Sequence, residues 1–469
     1  MPWRFFKQRG GIVKNIFKRK PSEFDTEYTV TNAIKKGDFM TRLSMIVMGA
    51  GNIARKQIVK GILYFITELA YIFYMVSYGI YSLTELITLG HYKYVEIETS
   101  YGYDYTTEGI PSVQVLLYGV VTIIITLLFI ALWRETVKSA YKAQCLSKEG
   151  KHVNTFFEDI KSLFDVNLHK LLLTLPLAGI LTFTVLPLIF MILQAFTNYS
   201  DEGGKLNKFE WVGLDSFKEV FAIGGDISNQ FWSVLAWTII WAIFATVLNY
   251  VLGMILAIVI NRKGTRLKAM WRFNFVLSVA IPQFVSLLIV RSMFSDIGTI
   301  NLLLKDWGLI DKSLPFWSDP TWARVSVIII NLWVGIPYTM LQITGILQNI
   351  PAELYEAARV DGANAVTTFF KITLPYMLFV TTPYLITTFT GNVNNFNVIY
   401  LLTGGGPTDV GKTAGNTDLL VTWLYKLTID ENDFNIGAVI GIMTFVVLAI
   451  VSLVTYRSTG SYKNEEGFQ

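Results

Sequence analysis

The sequence predicts an all-α integral membrane protein with about eight transmembrane helices and one short helix on the cytoplasmic side. Of its 469 residues, 52% are hydrophobic and only 16% are charged, whereas soluble domains average about a quarter charged residues. Mean hydropathy is +0.46, and the apolar residues gather in runs of the roughly 20 residues that a bilayer requires. A mixed-charge stretch at residues 351–374 interrupts these runs and predicts the cytoplasmic helix.

Eight segments are long and apolar enough to be spans. They are residues 61–83, 114–133, 171–195, 232–260, 273–294, 325–347, 376–396 and 436–456. The fifth, sixth and seventh contain proline and polar residues, which membrane helices tolerate where neighbouring segments satisfy the freed backbone groups. The chain therefore divides into a basic N-terminal segment (1–60), two spans with a basic loop (61–170), a six-span core (171–457) and a C-terminal tail (458–469).

Lysine and arginine set the orientation, because basic loops remain in the cytoplasm. Basic residues crowd residues 1–20, 134–170 and 261–272, whereas 84–113 is acidic and has Lys93 as its only lysine or arginine. Both termini and residues 351–374 are therefore predicted to be cytoplasmic.

The N-terminal segment suits either a flexible basic tail or an amphipathic segment on anionic membrane lipid. No apolar run follows MPWRFFKQRGG, so no signal peptide is predicted.

Composition excludes several other functions. The formal charge of +4 is too small to indicate nucleic-acid binding. One cysteine, Cys145, leaves no disulfide framework, and histidines at 91, 152 and 169 have no zinc spacing. We therefore predict no metal or cofactor.

One motif suggests nucleotide binding. GPTDVGKT, Gly406 to Thr413, fits the P-loop pattern, in which Lys412 and Thr413 would hold phosphates and magnesium. The predicted topology places residues 397–435 outside the cell, and AGNTD is a poor helix start after GKT. A Gly/Pro turn in an outer loop is the preferred interpretation.

The stretch EAARVDGANAVTTFFKITLP, residues 356–375, carries the cytoplasmic helix. Pro351 suits a first helical turn, and Gly362 suits a helix end with positive φ, so residues 351–361 form about three turns. Leu354, Ala357, Ala358 and Asp361 share one face made mostly of small side chains. Residues 363–374 are predicted as a second short helix.

This stretch resembles the signature of permease subunits of binding-protein-dependent ABC importers, E-A-A, three residues, G, nine residues, I-x-L-P. The matching residues are Glu356, Ala357, Ala358, Gly362, Ile372, Leu374 and Pro375. In that family the loop is a coupling helix that docks on a cytoplasmic ATPase subunit, and the fold is the type I importer permease fold. The resemblance implies ATPase-coupling roles for Glu356, Ala357, Ala358, Arg359, Asp361 and Gly362.

Flanking segments resemble the larger permease subunit of maltose and maltodextrin importers. They are LWVGIPYTMLQITGIL (332–347), NNFNVIYLLTGGGP (394–407) and NTDLLVTWLYKL (416–427). The loop 196–231 is short, which resembles the Gram-positive form. The resemblance implies a non-enzymatic transport subunit of the bacterial plasma membrane. It works with a second homologous permease, two ATPase subunits and an extracellular sugar-binding protein.

The sugar site is predicted at broken helices near the membrane midplane. Gly335 and Pro337 interrupt the sixth span, and asparagines and threonines crowd the end of the seventh. Amide side chains suit sugar hydroxyls because each both donates and accepts hydrogen bonds. The resemblance places Gly335, Tyr338, Thr388, Gly391, Asn392, Asn395 and Asn397 on sugar-lining positions. The family more often has an aromatic residue at Gly391 and an aliphatic one at Asn397.

The same residues fit other interpretations. The asparagines and threonines could instead hold helices together, and Pro282, Gln283 and Ser286 are further candidates for the cavity. The expected substrate is maltose or maltodextrin, with galacto-oligosaccharides as another possibility. A secondary carrier driven by an ion gradient is the second hypothesis, although no Asp or Glu is central in a span.

Overall fold

The computed structural model describes residues 28–91, 93–99, 102–201, 205–262 and 264–458. The described chain is mostly helical, with one β-hairpin. In the N-terminal half lie α1 (Val30–Lys36), α2 (Phe39–Leu43), α3 (Ala50–Ile53), α4 (Ile58–Thr88), β1 (Lys93–Thr99), β2 (Gly102–Glu108), α5 (Ser112–Lys148), α6 (Phe156–Leu163) and α7 (Leu168–Gln194). Then follow α8 (Asp215–Phe221), α9 (Asp226–Asn261), α10 (Lys268–Ala280), α11 (Gln283–Met293), α12 (Thr299–Asp306) and α13 (Pro320–Leu347). The last are α14 (Ala352–Val360), α15 (Ala365–Thr368), α16 (Leu374–Val393), α17 (Phe396–Thr403), α18 (Leu420–Ile429) and α19 (Phe434–Ser458).

The predicted spans are present. Within the described residues, seven helical segments are long and apolar enough to cross a membrane, and an eighth exists if a bent pair counts as one span. That pair is α10 and α11, the predicted fifth span, and it bends by 88°. Pro282, which has no backbone N–H to donate, lies in the break, so its position accounts for the bend. The prediction of a helical multi-pass membrane protein is confirmed.

The contacts divide the chain into two compact units, Met1–Phe190 and Met191–Gln469. The boundary falls within α7, whereas the sequence places the start of the core at residue 171. That finer division stays a prediction. Residues 1–27 of the predicted N-terminal segment and residues 459–469 of the predicted tail lie outside the described residues.

In the first unit, α4 packs along α5. The ring of Tyr71 stacks on Phe129 with centroids 3.8 Å apart, and the Tyr74 hydroxyl lies 2.8 Å from Thr122 Oγ1. An antiparallel hairpin, β1 with β2, joins the two helices and pairs Lys93 with Glu108. The sequence analysis did not predict these strands, although the segment is rich in the β-branched and aromatic residues that strands favour.

The described part of the N-terminal segment, residues 28–57, folds against the end of α5. The Trp133 indole donates to the Met45 carbonyl at 2.9 Å, and the buried Asn52 amide donates to Ser139 Oγ at 3.0 Å. A salt bridge of 2.6 Å joins Arg55 and Asp38. This part is therefore anchored to a membrane helix, which neither interpretation of the sequence anticipated.

In the second unit, α9 and α13 pack closely and form the centre. A Cβ added at Gly253 would lie 2.8 Å from Thr339 Cβ, and one added at Gly335 would overlap the Asn249 amide. Each helix thus contributes a glycine where the other presents a polar side chain. Such small residues let membrane helices approach closely. The second unit is built around this α9–α13 contact.

Candidate functional site

The predicted coupling helix is present as α14. It begins after Pro351 and ends before Gly362, which has a φ of +74°, as the sequence predicts. Glycine suits this position because a Cβ disfavours positive φ.

The segment after α14 differs from the prediction. Instead of a separate second helix, α15 continues through a π-helical turn, Phe369–Thr373, into α16, because Pro375 sits in the first turn of α16, where a missing N–H is tolerated.

Most predicted coupling residues are exposed. Glu356, Ala357, Arg359, Asp361 and Gly362 are open to solvent. Ala358 is different, because it is buried at 8% exposure within the chain itself. The small side chain of Ala358 therefore allows α14 to pack on its own subunit, whereas the other coupling residues are available to a partner.

A groove of about 610 Å³ runs beside α14. We call it the coupling groove. It is lined by Ile258, Asn261, Arg262, Leu347, Ala352, Tyr355, Glu356, Arg359, Ala363, Ala365, Thr368, Phe369 and Thr373. The Tyr355 hydroxyl lies 3.2 Å from Thr373 Oγ1, which fixes α14 against the base of α16.

The opposite wall of the coupling groove is organised by Asn261, the last residue of α9. Its amide donates to Thr344 Oγ1 of α13 at 3.1 Å, and it accepts from the Arg272 guanidinium of α10. Lys268 also donates to the Asn261 carbonyl at 3.0 Å. Asn261 therefore ties together the ends of three helices next to α14, a role that sequence reasoning missed.

Val360 was also missed. It ends α14 with 88% of its surface exposed, between the charged residues Arg359 and Asp361. Beside the exposed charged residues, Val360 adds an apolar side chain to the surface that α14 presents. Its position at the end of α14, two residues before Gly362, is the sequence signal that could have indicated it.

One part of the predicted sugar site lies at the bend between α10 and α11. A cavity of about 350 Å³ is lined there by Ser278, Val279, Ala280, Ile281, Pro282, Gln283, Ser286, Trp333, Val334 and Tyr338. It brings Tyr338, half exposed, together with the further candidates Pro282, Gln283 and Ser286. Aromatic faces and uncharged polar groups share this cavity, which we call the bend cavity.

The other predicted sugar residues do not line the bend cavity. Gly335 faces Asn249 in the α9–α13 contact. Asn392 is buried and donates to Thr246 Oγ1 at 3.0 Å. Asn395 caps α17 by accepting from the Val398 N–H at 3.2 Å.

The rest are less enclosed. Thr388 is half-buried in α16, while Gly391 and Asn397 are exposed at the end of α16 and the start of α17. Gly391 has no atom within 4 Å of an added Cβ. Thr388, Gly391 and Asn397 are therefore open to a ligand or a partner, whereas Gly335 and Asn392 make contacts between helices.

The P-loop-like segment is a structured loop between α17 and α18. Lys412 forms an ion pair of 2.7 Å with Asp409, and the Thr413 hydroxyl lies 3.2 Å from Gln230 Oε1. The next helix begins only at Leu420, so no helix N-terminus follows the motif to bind phosphate. These contacts agree with the preferred interpretation as a turn.

A buried ion pair holds the end of this loop. The Lys426 ammonium lies 2.6 Å from Asp418 Oδ2, and the Asp418 side chain is fully buried. The carboxylate also accepts from the Gly415 N–H at 2.7 Å and from Thr422 Oγ1 at 2.8 Å. Burial raises the pKa of the Asp418 carboxyl, against the opposing effects of the Lys426 charge and these hydrogen bonds.

The profile of the family described as binding-protein-dependent transport system inner membrane component matches residues 249–459. The maltodextrin transport system permease protein of Bacillus subtilis (strain 168) is 32% identical over 94% of this chain and 99% of the relative. The galactooligosaccharides transport system permease protein of the same organism is 35% identical over 90% and 98%. The maltose/maltodextrin permease protein of Klebsiella aerogenes is 37% identical over 53% and 49%.

Solved structures share the fold. A bacterial ABC transporter involved in the import of the acidic polysaccharide alginate has a chain with a TM-score of 0.53 and 23% identity, covering 64% of this chain and 96% of that one. A chain of the alginate transporter in complex with alginate pentasaccharide-bound periplasmic protein gives a TM-score of 0.52 and 23% identity, covering 64% and 95%.

Proposed function

Because the chain belongs to the family of binding-protein-dependent transport system inner membrane components, as a permease subunit of an ABC importer, we propose that it forms half of the import path for a neutral oligosaccharide. The substrate class is maltose or maltodextrin, with galacto-oligosaccharides as the second candidate. In this proposal the chain lies in a bacterial plasma membrane with both termini in the cytoplasm. It assembles with a second homologous permease, two ATPase subunits and an extracellular sugar-binding protein.

The observation that carries the proposal is α14 with the coupling groove beside it. In this proposal α14 docks on the ATPase, which also meets the rim of the groove, lined by Glu356 and Arg359 of α14 and by Asn261 and Arg262 at the end of α9. When two ATPase subunits close on ATP, they would move α14 together with the ends of α9, α13 and α16 that lie beside it. Import requires only that ATP and sugar favour different conformations of the permease.

Replacement of Glu356 by lysine tests the coupling role. In the reconstituted complex, we expect Glu356→Lys to reduce sugar uptake by about tenfold or more, an effect that corresponds to about 1.4 kcal/mol, while ATP hydrolysis continues. Glu353→Lys is the matched control, because Glu353 is exposed on the same helix but does not line the coupling groove. Uptake by Glu356→Lys equal to that of Glu353→Lys would contradict the coupling assignment.

The bend cavity supports the sugar part of the proposal. Tyr338 and Trp333 offer aromatic faces to sugar rings. Gln283 and Ser286 offer hydrogen bonds to hydroxyls. Thr388, Gly391, Asn395 and Asn397 belong to the same proposed path, at the end of the seventh span. Gly335 and Asn392 are proposed to shape the path through helix contacts, and a direct sugar contact by either stays a prediction.

The identity of the sugar is tested by ATPase stimulation. The purified complex with its binding protein is mixed with maltotriose or with a galacto-oligosaccharide of similar length. We expect maltotriose to stimulate ATP hydrolysis. The galactooligosaccharides permease, at 35% identity, is the reason for the second candidate, and stimulation by the galacto-oligosaccharide alone would establish that candidate instead. Stimulation by neither sugar would contradict both.

A further inference from the structure

The P-loop-like loop forms one wall of a polar cleft at the end of the second unit opposite α14. The other wall is the start of α9, where Asp226, Asn229 and Ser233 are exposed and share one face at i, i+3 and i+7 spacing. The cleft has a volume of about 450 Å³. Residues of the loop that line it are Asp409, Val410, Gly411, Lys412, Ala414, Gly415 and Asn416.

The loop wall is held rigidly. Gln230 Oε1 accepts from the backbone N–H groups of Thr413 and Ala414 at 3.0 and 2.8 Å. Arg324 donates to the Asn416 carbonyl at 2.8 Å and lies over the Trp237 ring at 4.8 Å. The cleft is therefore shaped before any partner arrives, and pre-organisation of this kind lowers the entropic cost of binding.

The cleft lining has more acidic than basic side chains. Lys412 is paired with Asp409, and its hydrogen bond lowers the pKa of the Asp409 carboxyl. Among the described residues, no lysine or arginine lies within ion-pair distance of Asp226. Within the described chain Asp226 thus has no ion-pair partner on the α9 wall, although its place in the first turn of the helix favours a negative charge. At the rim, Val410 is fully exposed, so an apolar contact lies next to an acidic one.

These features favour a protein partner over a sugar or a metal. The cleft has no aromatic side chain in its lining, whereas a sugar site uses aromatic faces for its rings. The described residues also contain no group of three or more histidine, cysteine or acidic side chains that could hold a metal. A rigid acidic cleft with an apolar rim suits a protruding protein segment that carries a basic side chain.

We propose that this cleft is a docking site for the extracellular sugar-binding protein, which presents a basic side chain to Asp226 and an apolar contact to Val410. The inference rests on the proposed function and on the orientation that puts residues 397–435 outside the cell. Charge pairing at the rim of an interface chiefly affects the rate of association and the selectivity for the partner. The pairing should therefore weaken as salt is raised.

The test uses the complete transporter in proteoliposomes and measures the binding-protein concentration that gives half-maximal ATPase stimulation. We expect Asp226→Lys to raise that concentration by about tenfold at low salt, through a charge reversal at one contact. Asp215→Lys is the control, because Asp215 is likewise exposed in the first turn of a helix, α8, and lies outside the cleft. Asp215 differs from Asp226 in forming an exposed ion pair with Lys218. The control should shift the concentration by less than about twofold, as expected for an exposed charge away from the contact.

A second variant, Val410→Asp, tests the rim and cannot disturb packing, because Val410 is fully exposed. We expect it to raise the same concentration while the thermal unfolding midpoint stays unchanged. If both variants reach half-maximal stimulation at the same binding-protein concentration as the unaltered protein, the cleft is not the docking site. If the unaltered transporter shows no stimulation by the binding protein, the proposed function itself fails, which is a different result.

Discussion

The Asn392 side-chain amide donates to Thr246 Oγ1 at 3.0 Å, and both residues are buried. The contact joins α16 to α9. The Trp241 indole donates to the Asn392 carbonyl from the same helix, at 3.0 Å. Asn392 is thus a connection between two spans, which is the alternative that the sequence left open for its asparagines. Tyr338, from the same predicted set, instead lines the bend cavity.

Measurements of unfolding should therefore distinguish the role of Asn392 from that of Tyr338. Asn392→Ala leaves Thr246 without its partner, and we expect a loss of about 1–3 kcal/mol in the free energy of unfolding. Tyr338→Ala should leave the unfolding midpoint nearly unchanged and reduce sugar-stimulated ATP hydrolysis. Thermal unfolding in detergent and ATPase assays of the complex measure the two effects. A stable Asn392→Ala protein with impaired sugar response would assign Asn392 to the sugar instead.

Gly335 should tolerate no side chain. A Cβ there would overlap the Asn249 amide in the α9–α13 contact, and overpacking of this kind costs about 1–3 kcal/mol. Gly345→Ala is the matched control on the same helix, because an added Cβ there meets no atom within 4 Å. We expect Gly335→Ala to lower the unfolding midpoint and Gly345→Ala to leave it unchanged or raise it. Equal midpoints would mean that the Asn249 side chain, or the two helices, can shift without cost.

Asp418 and Lys426 should behave as a coupled pair. Loss of either partner leaves a buried charge alone, and we expect Asp418→Ala or Lys426→Ala to cost about 3–5 kcal/mol. The double variant should cost less than the sum of the two, because neither charge is then left unpaired. Chemical or thermal unfolding of all four proteins gives the interaction energy. Additive losses would show that the ion pair does not hold the loop.

Val360 should be covered when the ATPase subunits bind. We expect Val360→Asp to reduce co-purification of the ATPase, since a charge would be buried against the partner. Ile223→Asp is the control. Ile223 is also fully exposed, in the loop before α9 on the side predicted to be outside the cell. Equal recovery of the ATPase with both variants would remove Val360 from the contact.

Orientation can be measured with single cysteines in a Cys145→Ser background. Val410→Cys and Val166→Cys both lie at exposed positions, in segments predicted on opposite sides of the membrane. We expect a membrane-impermeant maleimide to label Val410→Cys in intact cells, and Val166→Cys only after permeabilisation. The reverse pattern would invert the topology and remove the basis for the docking cleft.

The sequence by itself determined the class of fold, the number of spans and the position of α14. Hydrophobic run length and lysine and arginine bias are local properties, and helix ends at Pro351 and Gly362 depend on backbone chemistry that each residue carries alone. The family signature around Glu356 is likewise recognisable from the sequence alone. Its prediction of an ABC importer permease is confirmed.

Only the tertiary structure decided which polar residues face each other. Gly335, Tyr338 and Asn392 have similar surroundings along the chain, yet one packs against Asn249, one lines a cavity and one binds Thr246. Pro282 accounts for the 88° bend locally, but the position of Gln283 in one cavity with Tyr338 depends on how α11 packs beside α13. The same holds for the loop 406–416, because its shape comes from Gln230 and Arg324 on other helices. Side-chain partners that are far apart in sequence have no local pattern from which they could be predicted.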